Sequence, residues 1–316
     1  MSQQVEKFFN GVRDIPLEDY FTPGHRLCAG CGPAIAMKLI MKAIKMPTIV
    51  VNATGCVEVS TSMFPYVSWR VPWVHVAFEN AAAVASGIVE ALKILNRKRG
   101  KQMHDVIAIA GDGGTFDIGL QALSGALERN HKMLFICYDN EAYMNTGVQR
   151  SGATPTGAAT TTSPAGKIIP GKQERKKDLI GIVVAHKIPY AATASISHPI
   201  DLMNKVRKAL NIDGATLIHV LTPCTLGWRY PPSQTVKIAR LAVETGYFPI
   251  YEVEDGRVKI NIRLSKFKPI EEFIKIQGRF KHLLQPENER ILDYLKKQIE
   301  ENWSRLLKLE ETGIRI

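Results

Sequence analysis

Two polar stretches, one around Asp112 and one around Asn140, hold the residue types from which a site for a metal-bound diphosphate can be built. Glycines at 111 and 113 remove side chains that would keep a diphosphate off the backbone. A helix beginning after them would point its free N–H groups at the anion. Asp112 offers a carboxylate, Asn140 an amide oxygen and Ala142 a carbonyl. These are hard donors of the kind magnesium uses while it also holds phosphate oxygens and water, about six ligands in all. Taken alone, a Gly-Asp-Gly turn fits an ordinary loop as well as a site.

Cysteine supplies a second kind of chemistry, with thiols at 28, 31, 56, 137 and 224. A chain read as cytoplasmic has little use for disulfides, so metal binding competes with plain burial. Cys137 lies within the apolar run Leu134-Phe135-Ile136-Cys137-Tyr138 and reads as buried. The other four stand in turns beside glycine or proline, where thiolates can converge and backbone N–H groups can face an anionic cluster. Cys28-x-x-Cys31 by itself fits zinc, a redox pair or neither. A zinc ribbon would repeat C-x-x-C, whereas Cys56 and Cys224 come singly and far apart, which favours a cluster held by a folded domain.

The elements between these residues must position them. Val106 to Ala110 is a short apolar run expected to be a strand buried on both faces. From Asp117 to Arg129 the apolar residues recur at helical spacing, and Lys132 to Tyr138 reads as a second buried strand. A right-handed crossover makes those strands parallel and sets Asp112 and Asn140 on one carboxyl edge, the usual ligand edge of an open sheet. Before this unit, residues 1–24 form an N-terminal arm expected to lie over another surface, and Pro33 opens a helix to about Ile44. Thr48 to Asn52 reads as a strand that ends just before Cys56, and Val74 to Phe78 as a short strand after an aromatic, proline-broken loop. A small-residue helix starts at Ala81. Ser151 to Lys177 is a loop longer than packing alone requires, expected to order over a cofactor or a partner. Strand Lys187 to Ala194, helix Pro199 to Leu210 and strand Ala215 to Leu221 continue the alternation. Ile250 to Asn261 carries a hairpin signal around Asp255-Gly256, and Phe273 to Ile316 reads as mostly amphipathic helix. The expected fold is α/β: an open, mostly parallel sheet flanked by helices, spanning 25–228, with a C-terminal hairpin and helical extension at 229–316.

Gly-Asp-Gly, a helix, a buried strand and an asparagine loop together form the thiamine diphosphate motif. DNEAYMNTG closely resembles that loop in the 2-oxoacid:ferredoxin oxidoreductases, and the order CAGCG, ATGC, TPC resembles their proximal [4Fe–4S] site. From about His25 to Trp228 the chain looks like the thiamine-binding beta subunit of pyruvate:ferredoxin oxidoreductase and its relatives. The resemblance implies a thiamine diphosphate-binding fold, with Gly111, Asp112, Gly113 and Gly114 cradling the diphosphate. Magnesium would lie on Asp112, Asn140 and the Ala142 carbonyl, and the cluster on Cys28, Cys31, Cys56 and Cys224. Glu141, Ala142, Tyr143, Met144 and Asn145 would line the cofactor, and Asn145 would face the reacting carbons. It also implies oxidative decarboxylation of a 2-oxoacid, pyruvate foremost, with coenzyme A taking the acyl group and electrons leaving singly to ferredoxin. Alternatives are another 2-oxoacid (2-oxoisovalerate, 2-oxoglutarate or oxalate) or a cluster-free thiamine decarboxylase or synthase. In this family the ylid-generating glutamate comes from a different polypeptide or domain, and no acidic residue here sits in a recognisable version of it. An alpha subunit carrying that glutamate is therefore expected, with gamma and delta subunits bearing further clusters, and the isolated chain is expected to be inactive. Two positions depart from the larger single-chain members: Pro33 stands where they have glutamate, and Asn140 replaces a threonine but keeps an oxygen donor.

Composition excludes other classes. The 316 residues are 45% hydrophobic and 22% charged, which suits a globular protein, and no run approaches the ~20 apolar residues that span a bilayer. A net charge of +11 raises nucleic acid as a ligand, but aromatics are not interleaved with the basic residues. The basic segment Lys172 to Lys177 and the C-terminal quarter read instead as a surface for an acidic carrier or subunit. Arg70 and His75 read as ordinary polar residues of the aromatic loop more readily than as substrate contacts, and Trp228 and Arg229 as a shield over the cluster.

Overall fold

Six apolar runs line up as parallel strands, and a hairpin extends one edge. The computed structural model describes residues 7–45, 47–102 and 104–316; the first six residues of the expected arm lie outside them. The strands are β1 (Thr48–Ala53), β2 (Trp73–Val76), β3 (Asp105–Gly111), β4 (Leu134–Asp139), β5 (Tyr190–Ser195), β6 (Thr216–Leu221), β7 (Tyr251–Glu254) and β8 (Arg257–Ile260). They form one sheet in the order β2-β1-β3-β4-β6-β5-β7-β8, with only the pairings of β7 antiparallel. The helices are α1 (Gly32–Ala43), α2 (Cys56–Val59), α3 (Ala81–Arg99), α4 (Leu120–Glu128), α5 (Leu179–Val184), α6 (Pro199–Asn211), α7 (Thr225–Trp228), α8 (Thr235–Glu244), α9 (Ile270–Ile274) and α10 (Glu289–Thr312).

The central strands are mostly apolar because both faces are covered. Val106, Ala108, Ala110, Phe135 and Cys137 pack with α3, α4 and α10, while Ile107, Ile109, Leu134, Ile136 and Tyr138 pack with α1 and α6. That alternation is the two-residue period of a strand, and burying each large aliphatic side chain contributes about 1.5–3 kcal/mol. The described part of the arm folds back on its own chain. Phe9 and Phe21 are buried, Asn204 Oδ1 accepts from the Phe8 and Phe9 N–H groups, and Asp19 pairs with Lys38 and Lys42 of α1.

Phe273 to Ile316 is mostly helix, as expected, but in pieces: α9 ends at Ile274, 3-10 turns occupy Gly278–Leu284 and Pro286–Asn288, and the amphipathic α10 follows. Gly278 and Pro286 interrupt the α-helical bonding between them. The α/β alternation also continues where none was expected, with α5 beyond the long loop and α8 beyond Trp228.

Candidate functional site

Four neighbouring strands in the middle of the sheet, β1-β3-β4-β6, each end in one of the residues singled out for chemistry. Beyond β1 comes Cys56, beyond β3 Asp112, beyond β4 Asn140 and beyond β6 Cys224. Parallel register does this: Gly111 pairs with Tyr138 and Asp139 with Leu221, so the chain leaves the sheet at nearly one level.

The three expected magnesium donors converge. The end of the Asn140 amide lies 2.9 Å from Asp112 Oδ1 and 2.9 Å from the Ala142 carbonyl oxygen. Three oxygens facing one another repel, so either the amide turns its nitrogen toward the other two or a cation stands among them. Asp112 is buried, and its other oxygen accepts from the Ser151 hydroxyl at 2.5 Å. Burial, and then the neighbouring Asp139, push the Asp112 carboxyl well above the usual range. A divalent cation reverses that balance, because its charge favours the ionised carboxylate. The donor set therefore fits magnesium.

Beside these donors the helix begins differently from expectation. Residues Gly113–Asp117 make a π turn in which the Ile118 N–H bonds back to the Gly113 carbonyl, and α4 starts only at Leu120. The Tyr143 ring lies directly on Gly113, where a Cβ would come within 2.3 Å of it. The Tyr143 hydroxyl donates to Asp117 at 3.1 Å.

Cys28, Cys31, Cys56 and Cys224 line one cavity of about 230 Å³ together with Asn140, Met144 and Asn145. Close packing of two turns makes this possible. Gly32 lies so near the Thr222-Pro223 backbone that a Cβ would meet the Pro223 carbonyl at 2.5 Å, and the Gly32 N–H donates to that carbonyl. Burial, with a contribution from the charge of neighbouring thiols, pushes the Cys31 and Cys56 thiols up to about 12, and burial raises Cys224. Among the described residues no three histidine, cysteine or acidic side chains gather closely enough to hold a single metal ion. Cys137 is fully buried on the sheet, as expected.

Behind the loop after β4 lies a buried ionic network that the sequence did not reveal. Glu141 has a left-handed backbone, φ 68°, and is 1% exposed. Its Oε1 accepts from Lys176 at 2.8 Å and from Tyr247 at 2.6 Å, and Thr154 donates to its carbonyl at 2.7 Å. Arg279 Nη2 stands 2.7 Å from Glu141 Oε2 with its N–H turned off the line, a charge contact rather than a hydrogen bond. Asp139 takes Lys176 and His219 on one oxygen, at 2.5 and 2.6 Å. Burial would raise that carboxyl, but the Lys176 charge and the hydrogen bond with His219 hold it down to about 2. Glu141 can thus offer the site only its backbone. A larger cavity of about 470 Å³ reaches Lys176 and His219 from the far side, away from Asp112 and the cysteines.

Other expectations change. Lys172 is 2% exposed, Lys176 is committed to the network, Lys177 pairs with Asp117 and Arg175 with Glu301, so this segment is no free basic surface. The loop from Ser151 packs on its own chain and sets the Ser151 hydroxyl on Asp112, the side on which a cofactor was expected. Trp228 does not shield the thiols; it is fully buried and donates to the Asn140 carbonyl at 2.7 Å, while exposed Leu226 borders the cavity. In keeping with their reading as ordinary polar residues, His75 bonds Thr54 at 2.7 Å, Arg70 is exposed, and neither lines the cysteine cavity.

A parallel sheet presenting Asp112, Asn140 and Ala142 beside a glycine turn defines the class: residues 53–220 match the thiamine pyrophosphate enzymes, in their C-terminal TPP binding domain. The chain is 58% identical over 287 residues to pyruvate synthase subunit PorB of Methanocaldococcus jannaschii, covering 90% of this chain and 96% of that one. It is 52% identical to the PorB of Thermotoga maritima, with 92% of each covered. It belongs to the pyruvate synthase subunit PorB family, which bears out the resemblance read from its loops. Ketoisovalerate oxidoreductase subunit VorB of Pyrococcus abyssi is 48% identical, covering 94% of this chain and 95% of that one. Among solved structures, 2-oxoglutarate:ferredoxin oxidoreductase from Magnetococcus marinus superposes with a TM-score of 0.54 over 75% of this chain and 84% of that chain. At 19% identity this is a likeness of fold alone, and it agrees with the expected thiamine diphosphate-binding α/β fold. Among the described residues no helix is long and apolar enough to cross a membrane.

Proposed function

We propose that this chain is the thiamine diphosphate-binding subunit of a multi-subunit, cytoplasmic pyruvate:ferredoxin oxidoreductase, which with its partners converts pyruvate and coenzyme A to acetyl-CoA and carbon dioxide. The observation that carries this reading is the shared cavity: four cysteines and the loop bearing Asn140 and Asn145 line the same space. Asp112, Asn140 and the Ala142 carbonyl would hold magnesium, with the diphosphate against the Gly111 to Gly114 turn, where the Tyr143 ring fills the space a Gly113 side chain would take. Cys28, Cys31, Cys56 and Cys224 would hold a [4Fe–4S] cluster. Thiamine diphosphate supplies an electron sink for the carbanion left by decarboxylation, and a neighbouring cluster takes electrons one at a time.

The chain's own residues bind and orient. Ser151 fixes the Asp112 carboxylate, Tyr143 closes over Gly113, and Asn145, exposed on the cavity lining, would face the substrate carbonyl and polarise it. The glutamate that activates the cofactor comes from an alpha subunit, and gamma and delta subunits relay electrons to ferredoxin. Core domain 25–228 carries the site, between the arm at 1–24 and the extension at 229–316. The test is viologen or ferredoxin reduction by the purified complex across a panel of 2-oxoacids, with and without coenzyme A. Pyruvate activity that requires coenzyme A, a visible band near ~400 nm bleached by dithionite, and no activity in the isolated chain are expected. A bandless complex, or robust decarboxylation by the chain alone, overturns the reading. A branched-chain 2-oxoacid as substrate is the second reading, supported by the 48% identity to the ketoisovalerate oxidoreductase subunit.

A further inference from the structure

Arg279 lies beyond the strands that carry the site, in the 3-10 turn Gly278–Leu284, yet it is 2% exposed and reaches both halves of the site. Its guanidinium carbon sits 3.6 Å above the centre of the Trp228 ring, and its Nη2 stands 2.7 Å from Glu141 Oε2. Trp228 closes α7, the turn that begins after Cys224; its backbone N–H donates to the Cys224 carbonyl at 2.9 Å, and its indole N–H to the Asn140 carbonyl. Glu141 stands between Asn140 and Ala142. The backbone around it is held left-handed, a conformation that a residue with a Cβ keeps only when its surroundings fix it.

We propose that Arg279 is a positioning residue for the metal site: it locks Glu141 and Trp228 together, fixing the loop that presents Asn140 and Ala142 and tying it to the Cys224 turn. Its Nε donates to Gln277 Oε1 at 2.9 Å and its backbone carbonyl accepts from Ala159 at 2.9 Å, so the brace is itself held from two sides. Lysine cannot replace it, because a point charge on a flexible stem does not lie flat on the indole while holding its charge against Glu141. The inference rests on the reading of Asn140 and Ala142 as metal ligands.

The experiment titrates Mg2+ into thiamine diphosphate binding by the purified complex, followed by quenching of tryptophan fluorescence. Arg279→Lys and Arg279→Met are compared with Lys205→Met, which breaks a buried ion pair with Asp201 in α6. Loss of an outer support of a metal site weakens affinity about 10- to 100-fold, and that rise in Mg2+ half-saturation is expected for both Arg279 variants. Lys205→Met is expected to lower the melting temperature while leaving the Mg2+ response within about twofold. If Arg279→Met does not fold, Glu141→Gln/Arg279→Met removes both charges together and should fold while still binding Mg2+ weakly. Mg2+ responses in the Arg279 variants within about twofold of wild type, or an equal shift in Lys205→Met, overturn the inference. Thiamine diphosphate binding by the unaltered complex that ignores Mg2+ instead refutes the ligand assignment, and this inference with it.

Discussion

The indole N–H of Trp228 donates to the backbone carbonyl of Asn140 across 2.7 Å, joining the turn after Cys224 to the loop after Asp139. Both groups are buried, so the bond has no substitute from water. Trp228→Phe keeps a ring and leaves a carbonyl without a donor, at a cost of about 1–3 kcal/mol. Chemical denaturation should show a lower midpoint with an unchanged slope; an unchanged midpoint would mean that the carbonyl has found another partner.

Ser151 tests whether support around Asp112 matters. Its hydroxyl donates to a buried carboxylate, a charge-assisted bond worth about 1.5–3 kcal/mol. Ser151→Ala should weaken Mg2+-dependent binding of thiamine diphosphate by about tenfold or more. Calorimetric titration of the complex measures this directly.

The cysteines divide four to one. Cys224→Ser should abolish the dithionite-bleached visible band, while Cys137→Ala, on the sheet face away from the cavity, should keep it at some cost in stability. In the cluster-free chain Cys31 and Cys56 are pushed from 9.0 to about 12, mainly by burial. A raised thiol pKa stabilises the fold below 9.0 and ceases to do so as pH rises through about 12. Cluster-free protein should therefore lose stability above pH 9.0, and its Cys31 and Cys56 should alkylate far more slowly at pH 8 than those of unfolded chain. Mass-spectrometric mapping of alkylation over time separates the five positions.

Lys172 predicts the opposite slope. Its ammonium donates only to carbonyls, those of Thr154 and Arg175, and burial lowers its pKa from 10.5 to about 8. A depressed lysine leaves the fold unpenalised above 10.5 and destabilises it as pH falls through about 8. Raising the pH from 7 to 10 should shift the stability difference between wild type and Lys172→Met in favour of wild type. A difference independent of pH would show that the amine stays charged at no cost.

α10 is bound to the rest of the chain by Trp303, which is 5% exposed, packs on Phe267 and donates to the Gly246 carbonyl at 2.7 Å. Trp303→Ala should cost about 3–5 kcal/mol, visible as a large drop in melting temperature.

The parts of this molecule that repeat a period, or sit beside glycine and proline, were readable from its residues. The runs around Ile107 and Ile136 announce strands covered on both faces, and turn chemistry marks Cys28, Cys31, Cys56 and Cys224. Short or interrupted helices were not. Leu179–Val184 is too brief for a helical period to emerge from a continuous apolar run, and α8 follows a proline-rich turn that looks like the end of the pattern. Lys176 and Arg279 were invisible for another reason: a lone basic residue in a loop carries no local mark that separates a buried partner of Glu141 from a solvated charge. Asp139, one residue before Asn140, offered the only hint, since a carboxylate at the end of a buried strand needs a cation from somewhere.

The contact between Gly32 and Pro223 bears on how the protein is made. Cys31 leaves the ribosome early, and most of the domain must be synthesised before Cys224 follows it. On the proposed reading of a cluster, a half-finished chain holds three of the thiols with no fourth corner, and the full set of ligands exists only once Cys224 has been made and the turn at Pro223 has closed on Gly32.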